Sequence, residues 1–142
     1  MGAAAGRGWS CSRVAFAGIR DPAELVRPAA LESVFTRRER LRSKAGTALE
    51  SWAGRLAAKR AVVGALGYDS PPGPLTEVEI LPRPSPACRR SHECAHGHPP
   101  AVTLAGTLAR RAARARSIQV SVSHTSDIAV AIALVTWVKD GG

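Results

Sequence analysis

The sequence predicts an α+β domain in which an antiparallel sheet packs on one long helix. Apolar residues recur at helical spacing between residues 47 and 66, which indicates the helix. Near the C-terminus, an alternating strand pattern precedes a continuous apolar run, which indicates a hairpin. The chain has 142 residues, 45% of them apolar and 22% charged, which is enough for one globular core. We expect a single domain over residues 14–138, a flexible N-terminus at 1–13 and a tail at 139–142.

The first elements are predicted to be a strand and a short helix. Residues 14–19 are apolar enough for the strand. Asp21 then resembles a helix N-cap, because Pro22 occupies the first helical position and Glu24 follows the cap by three residues. We expect this helix to end near Ser33.

The long helix is predicted to begin at a capping box and to end at Gly67. The box is Thr47-Ala-Leu-Glu50, and the apolar stripe consists of Leu49, Trp52, Ala53, Leu56, Val63 and Leu66. By its spacing, Arg60 lies on this stripe. Burying an unpaired cation costs several kcal/mol, so three environments are open: solvent at the rim of the core, a salt bridge to Asp21 or Glu24, or a bound phosphate.

A second pair of cations lies on the same helix. Arg55 and Lys59 are four residues apart and therefore neighbours on one face, where they repel each other unless an anion lies between them. The spacing favours a phosphate-binding position.

The C-terminal half is predicted to be mostly strand. Residues 77–81 and 101–104 are strand candidates, and 108–116 is a basic helix. Residues 118–123 alternate between apolar and polar, so Ser121 and Ser123 should point to one face and His124 to the other. A turn at 125–127 leads to a buried strand at 128–138. Between these elements, residues 83–98 are expected to form a flexible inserted loop.

The charge of the chain points to an acidic partner. The net charge is +9, with 20 Lys and Arg against 11 Asp and Glu. Nucleic acid is disfavoured, because only 4% of residues are aromatic and no recognition motif is present. An excess of arginine also arises in GC-rich genomes, so composition alone does not select the partner.

The sequence shows no clear targeting segment and no recognisable zinc motif. Neither a membrane-spanning apolar run nor a signal sequence is apparent, and the odd number of cysteines, three, gives no disulfide framework. We therefore expect a cytoplasmic protein without membrane association. The inserted loop contains Cys88, His92, Cys94, His96 and His98, whose spacing does not match paired zinc ligands.

Two segments resemble the signature motifs of the phosphopantetheinyl transferases of the holo-acyl-carrier-protein synthase type. Trp52-Ala-Gly-Arg-Leu-Ala-Ala-Lys-Arg60 is similar to the family's W/F-x-A-K-E helix motif, and Val120-Ser-Val-Ser-His-Thr125 to its V-S-x-S-H-T strand end. Three weaker similarities extend the resemblance over roughly residues 14–138. They are Gly18 to Arg27 with Arg20 as an inserted residue, Val34 to Arg40, and Gly97 to Gly106. Without that insertion, Arg20 itself occupies the position of the family's metal-binding Asp.

The resemblance implies a small α+β synthase fold, and a homotrimer that binds CoA between subunits. The implied activity moves 4′-phosphopantetheine from CoA to a serine of an acyl carrier protein, in fatty acid or polyketide biosynthesis. The implied catalytic residues are Asp21, Lys59, Arg60 and His124. Those implied for CoA binding are Arg55, Lys59, Ser121, Ser123 and His124, and those for carrier-protein docking are Arg27, Arg37, Arg38 and Arg40.

Magnesium is the point at which this chain departs from the family. The family holds the metal on the CoA pyrophosphate with an Asp, for which Asp21 is the candidate, and with the Glu that Arg60 replaces here. Magnesium prefers oxygen ligands, which a guanidinium cannot supply. Either Asp21 and Glu24 hold a weakened metal, or Arg55, Lys59 and Arg60 neutralise the phosphates directly. A third possibility is that transfer has been lost and the protein is a repurposed enzyme acting on a carrier-bound intermediate, or an inactive carrier-binding subunit.

Overall fold

A computed structural model describes residues 8–46, 49–82 and 100–139 of the chain. The elements in chain order are β1 (Trp9–Ala15), α1 (Pro22–Val26), α2 (Leu31–Val34), α3 (Arg37–Gly46), α4 (Leu49–Ala65), β2 (Val78–Pro82), β3 (Pro100–Leu104), α5 (Gly106–Arg111), β4 (Ala115–His124) and β5 (Ile128–Trp137). Short 3₁₀ turns precede β2 and β4. The predicted box residue Thr47, the Cys/His loop, most of the N-terminal segment and the end of the tail lie outside the described residues.

An antiparallel three-stranded sheet, in the order β1-β5-β4, packs against α4. The contact is made by small side chains: Ala129, Ala131 and Ala133 of β5 and Ala57 and Ala61 of α4 are all fully buried. Small residues allow the helix and the sheet to approach closely. β2 and β3 form a separate antiparallel pair. The predicted α+β fold is confirmed. Among the described residues, no helix is long and apolar enough to cross a membrane.

The first strand lies earlier than predicted. It covers Trp9–Ala15 rather than 14–19, and pairs along its whole length with β5. Residues 9–13 therefore belong to the sheet and not to a flexible N-terminus. The inner face of β1 carries Ser10 and Ser12 before it reaches Val14, so the strand has no continuous apolar face that would have indicated it from the sequence.

The predicted helix from Asp21 to Ser33 is interrupted. α1 ends at Val26, because Arg27 adopts an extended conformation before Pro28 and proline disfavours helical geometry in the preceding residue. The chain then forms α2 and α3. α3 begins at a capping box that was not predicted: Glu39 N donates to Thr36 Oγ1 over 3.2 Å, and Thr36 N donates to Glu39 Oε1 over 2.8 Å.

The helix predicted at 108–116 is shorter than expected. α5 ends at Arg111 because β4 already begins at Ala115. Its start is set by Gly106, which has a φ of +58° and lies against the carboxylate of Glu77. A Cβ at this position would collide with that carboxylate, whose Oε1 accepts a hydrogen bond from Thr107 N at 2.6 Å. The glycine therefore allows the chain to pass Glu77 and enter the helix.

Candidate functional site

Lys59 of α4 points into the protein interior and not into a ligand site. Its Nζ lies 2.6 Å from Glu39 Oε1, and both side chains are 0% exposed. Nζ also donates to the carbonyl oxygen of Leu75 over 3.0 Å and to that of Val78. The ammonium group is thus enclosed by one carboxylate and two carbonyls.

Arg55 belongs to the same internal network. Its Nε donates to Ile80 O over 2.8 Å, and its Nη1 donates to Ser43 Oγ. Glu39 Oε2 accepts from Ile80 N at 2.9 Å, so the network ties α3, α4 and β2 together. Burial lowers the pKa of both Lys59 and Arg55, and the Glu39 carboxylate opposes that shift.

In this structure a carboxylate of the protein itself occupies the predicted phosphate position at Arg55 and Lys59. The two cations are neighbours, as their spacing required, but the anion between them is Glu39. Glu39 lies in the Phe-Thr-Arg-Arg-Glu segment that resembles the family, and no structural role was predicted for it. The sequence does contain one signal for the helix start that places Glu39, because a carboxylate three residues after a threonine is typical of a capping box.

Arg60 is exposed, in contrast to its predicted place on the apolar stripe. It lies at the edge of the buried face of α4 and makes no hydrogen bond or ion pair with any described residue. It lines an open groove of about 800 Å³ between β1, the C-terminal half of α4 and the segment after that helix. We call this the Arg60 groove; its other polar lining residues are Ser10, Ser12, Tyr68, Asp69 and Ser70.

The floor of the Arg60 groove depends on Gly64. A Cβ at this position would overlap the side chain of Ser10, so the glycine allows β1 to lie directly against α4. The Ser10 and Ser12 hydroxyls are thereby held on the helix side of the sheet, across from Arg60. None of these groove residues other than Arg60 was predicted, because three separate segments build the groove.

Asp21 lies in a different groove. Its Oδ1 accepts a hydrogen bond from Ala23 N at 3.0 Å, which confirms the predicted N-cap. The groove has a volume of about 530 Å³, and we call it the Asp21 groove; its lining includes Arg37, Arg40, Leu41 and Trp52. Trp52 precedes Arg60 by eight residues on α4, about 12 Å along the helix axis.

These positions do not fit a magnesium ion held between Asp21 and residue 60. Magnesium ligands lie about 2.0–2.1 Å from the ion, so they must almost touch one another. Asp21 and Arg60 line separate grooves, and one of them is a cation. Within the described ranges, no three Asp, Glu, His or Cys side chains come close enough to share a metal.

The strand-end residues divide between the two faces of the sheet, as predicted. His124 pairs with the buried Ala129 and is on the helix side, whereas Ser121 and Ser123 pair with Ile132 and Val130 and are on the opposite side. All three are exposed. His124 Nδ1 lies 3.3 Å from the carbonyl oxygen of Thr125. Within one chain, the serines and the histidine therefore do not converge on one ligand.

The sheet face away from α4, which we call the outer sheet face, carries exposed apolar side chains on β1 and β5 beside the polar side chains of β4. Its large side chains are Trp9, Ile132 and Leu134, which are 54%, 50% and 45% exposed. Register places them on the same side of neighbouring strands, because Trp9 pairs with Leu134 and Cys11 with Ile132. Contiguous exposed apolar patches are a mark of interaction surfaces in soluble proteins.

The four arginines predicted to dock a carrier protein differ in their surroundings. Arg27, Arg37 and Arg38 are exposed, and Arg40 is half-buried. Arg38 Nη1 lies 3.3 Å from Glu79 Oε1, and Arg40 Nε donates to Phe35 O over 3.3 Å. Only Arg37 and Arg40 line the Asp21 groove.

Solved structures of similar fold were found, although no family model matches the sequence and no curated protein does. The ACPS–CoA complex of Chronobacterium ammoniagenes is 26% identical, with a TM-score of 0.66, over 92% of this chain and 97% of that one. The acyl carrier protein synthase of Mycobacterium tuberculosis is also 26% identical, with a TM-score of 0.60, over 92% and 97% of the two chains. The Helicobacter pylori holo-[acyl-carrier-protein] synthase in complex with coenzyme A is 22% identical, with a TM-score of 0.67, over 90% and 99%.

These matches confirm the resemblance inferred from the two sequence motifs. Each match covers nearly all of this chain and nearly all of the other chain, so the complete folds are similar and not only a shared segment. The two structures at 26% identity support the similarity to the synthases, and the one at 22% identity supports the fold alone.

Proposed function

Because this chain is a holo-acyl-carrier-protein synthase-like protein, we propose that it transfers 4′-phosphopantetheine from CoA to a serine of an acyl carrier protein. The observation that carries the proposal is the match along almost the full chain to a synthase solved in complex with CoA. The strand end from Val120 to Thr125 supports it, since His124 stands exposed at the tip of β4. We expect the protein to act in the cytoplasm, where CoA and carrier proteins meet.

The proposed reaction is a phosphoryl transfer. The carrier serine oxygen forms a bond to the β-phosphorus of CoA, and the bond from that phosphorus to the bridging oxygen breaks, so that 3′,5′-ADP leaves. The serine hydroxyl loses its proton, and we assign His124 as the acceptor. Charge on the transferring group must be stabilised by cations, which in this chain include Arg60.

The carrier protein is proposed to dock at the Asp21 groove. Arg37 and Arg40 supply positive charge on the α3 side of the groove, across from the carboxylates of Asp21 and Glu32. Leu41, which is 58% exposed, supplies an apolar contact beside the two arginines. This combination fits the acidic, amphipathic surface of a carrier-protein helix. Arg27 extends the basic surface, whereas Arg38 is engaged by Glu79 and contributes less.

An oligomer is proposed because the outer sheet face is open and the predicted site residues are on opposite faces. A second copy packed on this face would cover Trp9, Ile132 and Leu134, and would bring residues of a neighbouring chain toward Ser121 and Ser123. The homotrimer expected from the resemblance would satisfy both conditions.

Ile132→Glu is expected to convert the oligomer to a monomer, because it places a charge among the exposed apolar side chains of the outer sheet face. Light scattering at micromolar concentration measures the mass, and circular dichroism checks that the variant is folded. Ser126→Glu is the control, since it adds the same charge to an exposed turn outside that face. A wild-type protein that is already monomeric would contradict the proposal.

The transfer reaction is tested by incubating purified apo carrier proteins with CoA and the protein, and measuring intact masses. The expected result is a mass gain of one phosphopantetheine group and release of 3′,5′-ADP. Binding of CoA and carrier protein without any mass gain would contradict transfer. That outcome would favour an enzyme acting on a carrier-bound intermediate, or an inactive carrier-binding subunit.

A further inference from the structure

We propose that the Arg60 guanidinium takes the place of a divalent cation on the CoA pyrophosphate, so that CoA binds without magnesium. The inference rests on the proposed function and concerns how its ligand is held. It starts from the observation that the residues at the implied magnesium site do not fit a magnesium ion. A cation occupies the position of one implied ligand, and the remaining candidate, Asp21, lines another groove.

The surroundings of Arg60 suit an anion. The side chain is exposed, and no described residue pairs with it, so its five N–H donors are available to a ligand. A planar guanidinium binds phosphate oxygens through two parallel hydrogen bonds. The Ser10 and Ser12 hydroxyls line the same groove and add donors that carry no charge.

The Arg60 groove can accommodate a diphosphate. Its volume is about 800 Å³, and it is open along one side, so the rest of a larger molecule can extend beyond it. Asp69 is the carboxylate in the lining, and it is exposed. A metal held by Asp69 alone would lie in the same groove as the Arg60 cation, which opposes its binding.

The internal network of Lys59 and Arg55 makes Arg60 the cation of α4 that is available to bind phosphate. Lys59 is fully buried against Glu39, and Arg55 is committed to Ile80 and Ser43. Of the three cations on this part of α4, only Arg60 faces solvent without a partner among the described residues. Phosphate neutralisation from α4 therefore falls to Arg60.

The test is calorimetric titration of CoA and of 3′-dephospho-CoA into the full chain, in EDTA and in excess magnesium chloride. We expect both ligands to bind with the same affinity in the two buffers. Arg60→Ala should weaken both about tenfold to a hundredfold, because a charge-assisted phosphate contact is lost. Arg60→Glu should abolish binding in EDTA. Arg42→Ala, an exposed helix arginine outside the groove, is the matched control and should bind like the wild type.

Several outcomes would overturn the inference while leaving the proposed transfer intact. Wild-type binding that requires magnesium and disappears in Asp69→Asn would assign the metal to that carboxylate. An unchanged affinity in Arg60→Ala would make Arg60 an ordinary surface residue, and a loss limited to CoA would place it on the 3′-phosphate. A wild-type protein that binds CoA in neither buffer would reject both the inference and the proposed function.

Discussion

Replacing Lys59 by methionine is expected to lower the free energy of unfolding by about 3–5 kcal/mol. The substitution keeps the length and apolar stem of the side chain but removes the ammonium group. Glu39 would then remain fully buried without its cation, and the carbonyl oxygens of Leu75 and Val78 would lose a donor. Urea unfolding followed by circular dichroism measures the loss.

The double variant Lys59→Met with Glu39→Gln should be more stable than Lys59→Met alone. Glutamine removes the unpaired charge, and its amide oxygen still accepts a hydrogen bond from Ile80 N or Thr36 N. The difference between the double variant and the sum of the single variants reports the coupling within the pair. Lys139→Met is the control, because Lys139 is exposed and its replacement should change stability by less than about 0.5 kcal/mol.

The stability of Lys59→Met distinguishes a structural role of Lys59 from a role in ligand binding. If Lys59→Met unfolded like the wild type and lost CoA affinity instead, the side chain would have to leave its buried position to reach a phosphate. The enclosed contacts with Glu39 and two carbonyls argue for the structural role.

Local patterns in the sequence were sufficient to predict the core elements. α4 follows from its apolar periodicity, and the β4–β5 hairpin follows from alternation on one side of a turn and a continuous apolar run on the other. The division of Ser123 and His124 between two faces follows from strand geometry and is observed. These features depend on residues close together in the chain.

Features that depend on distant residues were not predictable in the same way. The spacing of Arg55 and Lys59 required an anion, but Glu39 comes from another helix and nothing local identified it as the partner. Arg60 was assigned to the apolar stripe from its neighbours in sequence. Its exposure depends on where β1 crosses α4, and β1 itself was misplaced because serines fill its inner face.

The two grooves were also not predictable from local patterns, because each is lined by segments that are far apart in the sequence. The Asp21 groove combines residues of α3 and α4 with those near α1 and α2, and the Arg60 groove combines β1 with α4 and the segment after it. The sequence motifs predicted that α4 and the end of β4 contribute to one site. They did not show that Lys59 and Arg60, adjacent in the motif, would point in opposite directions, one into the core and the other into solvent.

Replacing His124 by alanine is expected to lower the rate of phosphopantetheine transfer about 100-fold to 10,000-fold, the range typical of a lost general base. His124 is exposed at the end of β4, and its Nδ1 lies 3.3 Å from Thr125 O. In the tautomer that carries its proton on Nδ1, this nitrogen donates to the carbonyl. The lone pair on Nε2 is then free to accept the proton of the carrier serine.

Steady-state kinetics with CoA and an apo carrier protein, combined with calorimetry, distinguish proton transfer from phosphate binding. A general base predicts a large fall in kcat with a nearly unchanged Kd for CoA. Ser126→Ala is the control, because Ser126 is exposed in the same turn and should leave both quantities unchanged. If His124→Ala instead weakened CoA binding and left kcat intact, the histidine would be a phosphate ligand. Another group, or water, would then have to accept the serine proton.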